Sequence, residues 1–125
     1  MIVGLGVELV DVPRFEAALE RFGERLRRRL FTPSERSYAE RRAHGGAESL
    51  AVRFAAKLAA RRALGDTGLA WCELEIVREP EAAPALRLHG AAARAANTLG
   101  VTRVSLSLSH DPSWCLGHVV LETGP

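Results

Sequence analysis

The chain has 125 residues, 47% of them apolar and 26% charged, with a formal net charge of +2. That length supports one domain with a single core, and the composition is that of an ordinary globular protein. Two cysteines, Cys72 and Cys115, exclude a disulfide framework. The apolar start, Met1 to Val7, lacks a basic flank and ends at Glu8, which argues against a signal peptide or membrane span and for a cytoplasmic protein.

Taken in chain order, "MIVGLGVELVDV" reads as a first strand with an irregularity at Gly4 and Gly6. Pro13 suits the first turn of a helix, and Phe15, Leu19, Phe22, Leu26 and Leu30 recur at spacings of three and four, one apolar stripe. "TPSE" is a capping box: Thr32 can accept from the amide of Glu35 while Glu35 reaches back. That helix should stop by His44-Gly45-Gly46, and the next should run from about Ala47 to Leu64, with Gly65 past its end. "WCELEIV" and "PALRL" read as strands, "GAAARAANTLG" as a helix, and "RVSLSLS" and "WCLGHVVLE" as strands joined by a turn at His110-Asp111-Pro112-Ser113. The order β-α-α-α-β-β-α-β-β predicts an α+β fold with helices on one face of a largely antiparallel sheet.

Charge is unevenly spread. Residues 14 to 62 hold thirteen Lys or Arg against six Asp or Glu, a balance of +7, and the remainder holds four against nine, a balance of −5. A basic first half suits an anionic partner, or else forms a solvated, salt-bridged helical surface. Aromatics at 6% without aromatic-basic interleaving give no motive for nucleic-acid binding.

Few residues stand out for chemistry. Glu8 interrupts an apolar strand, so it is paired, at an edge facing water, or bound to a cation. Arg53, Lys57, Arg61 and Arg62 on one helix offer phosphate neutralisation or a hydrated basic stripe. Ser105, Ser107 and Ser109 share one strand face, and His110 with Asp111 closes that strand where functional loops gather. No CxxC, HExxH or P-loop pattern supports a zinc hydrolase or NTPase.

Five segments in order, "GLGVELVDVPRF", "LFTPSE", "RFAAKLAARRALG", "LRLHG" and "VSLSLSHD", resemble the small holo-acyl-carrier-protein synthase family, the short type of 4'-phosphopantetheinyl transferase. The resemblance spans nearly the whole chain and implies one domain over residues 1–125 with that family's fold. It implies transfer of phosphopantetheine from coenzyme A to a serine of an apo acyl carrier protein, with magnesium bridging the pyrophosphate and 3',5'-ADP leaving. It further implies a homotrimer with the coenzyme at subunit interfaces. By position, Arg53 and Lys57 match the family's cations, Arg62 stands for a lysine, and His110 matches a histidine near the coenzyme. Asp111 is a neighbouring substitute carboxylate. Arg14, Arg21 and Arg25 match the helix that docks an acidic carrier protein.

Two positions depart from the family. Glu8 stands where it has aspartate, and Leu58 where it has glutamate; those carboxylates are the family's protein ligands to magnesium. Two readings follow. In the first, an active, divergent transferase keeps Glu8 as its metal ligand, with Lys57, Arg62 and His110 stabilising phosphate charge. In the second, a repurposed member binds a carrier protein or carrier-bound intermediate without transferring anything.

Overall fold

The computed structural model describes residues 1–42, 46–66 and 68–124. Its elements run β1 (Ile2–Asp11), α1 (Val12–Leu30), α2 (Pro33–Glu40), α3 (Gly46–Leu64), a 3-10 turn (Trp71–Glu73), β2 (Leu74–Val77), β3 (Ala85–Leu88), α4 (Gly90–Leu99), β4 (Arg103–His110) and β5 (Trp114–Glu122). This is the α+β order expected from the sequence. The strands form two antiparallel groups rather than one sheet: a three-stranded sheet in the order β1-β5-β4 and a separate β2-β3 pair. "WCELEIV" is only half a strand, because its first three residues wind into the 3-10 turn. Helix α2 ends at Glu40 with Arg41 as its cap, ahead of the stop expected by His44-Gly45-Gly46, and Gly46 opens α3; His44 and Gly45 themselves lie outside the described residues.

Helix α3 is the central element. Ala51, Ala55, Ala56, Ala59, Ala60 and Ala63 are all buried, so the helix is covered nearly all round. Small residues meet small residues across the contact with the sheet. A Cβ on Gly6 would collide with the backbone of Ala59, one on Gly4 with Ala63, and one on Gly117 would lie 2.6 Å from backbone atoms of Ala55. Backbone packs on backbone there, which fixes the helix's height and rotation over β1 and β5. The irregularity expected near Gly4 is a register shift between Ile2 and Gly4.

Helix α1 starts as expected, with the Asp11 side chain accepting from the amide of Arg14 at 3.0 Å. It does not carry one unbroken stripe. Gly23 adopts φ 61°, ψ −144° and breaks the helix, so the apolar phase changes there. Phe15, Leu19 and Leu30 are buried, whereas Phe22 is 56% exposed. The capping box at Thr32 and Glu35 forms as read, and Gly100 closes α4 in the left-handed region.

One face of the three-stranded sheet is covered by α3 and the other is open. Cross-strand partners share a face, so Leu5, Val7 and Leu9 of β1 lie beside Val120, His118 and Leu116 of β5. Ser105, Ser107 and Ser109 of β4 flank the same three β5 residues. Leu5, Val7, Leu9 and Trp114 are exposed.

Candidate functional site

The residues singled out in the sequence divide between the two edges of the three-stranded sheet. At the β4 edge, α2, α3 and β4 enclose a cleft of about 490 Å³ whose lining includes Tyr38, Arg42, Glu48, Arg53, Arg78 and His110. Arg53 is buried at its base. Its Nη1 donates to the Ser49 carbonyl at 3.2 Å and to Ser49 Oγ at 2.8 Å, and its guanidinium lies 4.3 Å from the ring centre of Tyr38. Arg53 Nε is buried and has no hydrogen-bond partner among the described residues. An unsatisfied charged donor is costly, and the cost is offset when an anion fills the cleft. Burial pushes the Arg53 guanidinium below its usual range, opposed chiefly by Glu35.

His110 ends β4 at the cleft mouth and pairs through Nδ1 with Glu48 on the first turn of α3. That contact orients the ring through Nδ1 and leaves Nε2 out of the pair. Asp111 does something different from the expected substitute carboxylate. Its Oδ1 accepts from the amides of Ser113 at 2.7 Å and Trp114 at 2.8 Å, which builds the β4–β5 turn. Those two amides hold its carboxyl below the usual range.

Lys57 lies in the interior rather than in a site. Its side chain is fully buried, and its ammonium contacts Glu35 Oε1 at 2.9 Å, the Trp71 carbonyl at 2.9 Å and the Leu74 carbonyl at 2.8 Å. Three donors meet three acceptors, leaving none for a phosphate. The sequence placed Lys57 beside Arg53 and Arg61 at helical spacing but could not show that α2 brings Glu35 over it. Glu35 also accepts from the amides of Thr32 and Ile76, so it ties α2, α3 and β2 together. Arg61 likewise turns inward, donating to the Leu69 carbonyl at 3.0 Å and lying over Trp71.

At the β1 edge, Glu8 and Arg62 form an ion pair between Glu8 Oε1 and Arg62 Nε. The Glu8 side chain is 22% exposed and that of Arg62 is 66% exposed. Leu58, one turn before Arg62 on α3, packs against the cluster of Val10, Phe15 and Cys115. Magnesium is hard, takes six oxygens and is commonly held by one or two carboxylates with substrate phosphates. Here one carboxylate is present, its partner is already a guanidinium, and Leu58 brings only carbon. Among the described residues no group of three or more His, Cys, Asp or Glu could hold a metal ion. The residues at this edge therefore do not build a magnesium site.

Arg14, Arg21 and Arg25 are exposed on α1, Arg21 lying over the exposed ring of Phe22 at 5.3 Å. No helix among the described residues is long and apolar enough to cross a membrane.

Comparison with known proteins fits this arrangement. The family model described as the 4'-phosphopantetheinyl transferase superfamily matches residues 4–116. The chain is similar to the holo-[acyl-carrier-protein] synthase of Koribacter versatilis (strain Ellin345), 41% identical over 125 residues, covering 98% of this chain and 99% of that protein. Among solved structures it is similar to the holo-[acyl-carrier-protein] synthase from Neisseria meningitidis, with a TM-score of 0.89, 28% identity, and coverage of 98% of this chain and 100% of that one. A holo-(acyl-carrier-protein) synthase from Bacillus anthracis str. Ames, solved in complex with CoA (3',5'-ADP), matches with a TM-score of 0.78 at 29% identity and covers 99% of both chains.

Proposed function

The chain belongs to the 4'-phosphopantetheinyl transferase superfamily, and from that premise we propose that it transfers 4'-phosphopantetheine from coenzyme A to a serine of an apo acyl carrier protein. The reaction forms a bond from the serine oxygen to the phosphorus carrying the pantetheine arm. It breaks the pyrophosphate bond and releases 3',5'-ADP, while the serine proton passes to water. The observation that carries this reading is the pair of cationic half-sites at opposite edges of one sheet: Arg53 and His110 at β4, Arg62 at β1. A phosphate-rich substrate needs such charges, and they act best where donors are fixed before the substrate arrives.

Neither edge is a complete site alone. Two copies meeting sheet edge to sheet edge bring one copy's cleft to the other's Glu8–Arg62 pair. The open face carrying Leu5, Val7, Leu9 and Trp114 supports assembly of this chain with itself, and we assign it a homotrimer. The exposed arginines of α1, with Phe22 among them, suit an acidic carrier protein. Any magnesium that accompanies the pyrophosphate would have to be held by phosphate oxygens and water rather than by this chain.

A second reading rests on Leu58. An apolar side chain where the family has a carboxylate fits a protein that holds a carrier and transfers nothing. Intact-protein mass spectrometry separates the two. An apo carrier protein incubated with this protein and coenzyme A gains the mass of one phosphopantetheine arm under the first reading. No gain in the presence or absence of magnesium leaves the second.

A further inference from the structure

Glu8, a metal ligand by the family resemblance, is paired with Arg62 instead, and that disagreement has chemical content. We propose that Arg62, anchored on Glu8, is the resident cation of the β1-edge half-site, and that the chain engages the pyrophosphate of coenzyme A without a divalent ion bound to protein. The inference rests on the coenzyme A reading above.

Three features argue for it. Arg62 donates from Nε to Glu8, so the contact uses one of its five N–H groups, and neither Nη nitrogen has a protein partner among the described residues. The side chain is 66% exposed, so those nitrogens are open to a ligand. A guanidinium can hold a carboxylate on one edge and a phosphate on another, which the compact ammonium of lysine does less well. Glu8 therefore aims a fixed positive fork instead of ligating a metal.

Leu58 completes the argument from the other side. It packs on the core cluster that includes Val10, Phe15 and Cys115, and position 58 brings no second oxygen to complete a metal cage with Glu8. The half-site holds one negative group, already paired, and one positive group with nitrogens still open to a ligand. A divalent ion entering it would have to displace a guanidinium from its carboxylate.

The test measures coenzyme A binding to the full chain by calorimetry, once with excess EDTA and once with magnesium. The native protein is expected to bind with affinities within about threefold of each other. Arg62→Ala is expected to lose about tenfold or more in EDTA, as for removal of a charge-assisted hydrogen bond. Leu58→Glu is expected to gain a magnesium effect of about tenfold, because it supplies the missing ligand. Circular dichroism confirms that each variant is folded. Native affinity that rises tenfold or more with magnesium, or an Arg62→Ala variant that binds normally in EDTA, overturns the inference and leaves the coenzyme reading standing. No binding of coenzyme A under either condition removes the coenzyme reading and this inference with it.

Discussion

Lys57 and Glu35 form an ion pair at 2.9 Å in which neither side chain reaches solvent. Each partner is otherwise satisfied: Lys57 by two backbone carbonyls, Glu35 by two backbone amides. Burial pushes the Lys57 ammonium below its usual range, opposed by Glu35.

Removing one member strands the other. Glu35→Ala is expected to cost about 3–5 kcal/mol in urea unfolding, and the double variant Glu35→Leu with Lys57→Met to cost clearly less. The double variant is also expected to keep its affinity for coenzyme A, because Lys57 has no donor left for a phosphate. A folded double variant that had lost coenzyme binding would return Lys57 to the site.

Cys115 gives a pH dependence. Its thiol is fully buried, and desolvation first, then the negative charges of Glu48 and Asp111, push it from 9.0 up to about 11. The folded state holds this proton longer than the unfolded state. Its contribution is therefore complete below pH 9.0 and is lost as pH rises to about 11. Relative to Cys115→Ala, the native protein is expected to lose up to about 2–3 kcal/mol across that window. Denaturation midpoints of the two proteins that run parallel from neutral pH upward would contradict the assignment.

The open sheet face predicts its own disruption. Val7 pairs across the ladder with His118 at the centre of that face. Val7→Asp places a charge where the trimer would bury it, and sedimentation is expected to show monomers for the variant and trimers for the native chain. A native chain that sediments as a monomer removes the homotrimer from the proposal.

Carrier docking is expected to be electrostatic at its rim. Arg21→Glu should raise KM for the carrier by about tenfold at low salt with kcat little changed, and the penalty should shrink as salt is added. An unchanged KM moves the docking surface away from α1.

Local signals in the sequence led directly to local structure. Pro13 in the first turn of α1 and the capping box of Thr32 with Glu35 each mark a helix start at the position found. What the sequence hid was long-range. Glu35 was legible as a cap, but its bond to Lys57 joins residues on two helices that only the fold brings together. Glu48, partner of His110, carried no local signal at all. Asp111 was read as a carboxylate for chemistry, yet next to Pro112 and Ser113 it is a turn builder. That Glu8 and Leu58 depart from the family is what the resemblance implies. The pairing of Glu8 with Arg62, by contrast, is a property of the β1–α3 contact.

The close approach of α3 to the sheet has a consequence for how this protein can change over time. Alanines meeting glycines leave no cushion of side chains to absorb a shift, so neither Gly6 nor Gly117 accepts even a methyl group in place. Positions 58 and 62 flank that contact and do not form it. The scaffold can thus stay fixed while its rim is rewritten, position 58 changing its side chain without moving the helix that carries it. The contact that makes α3 intolerant at its centre makes its margin free to vary, and a site can be re-equipped on a frame that never has to be rebuilt.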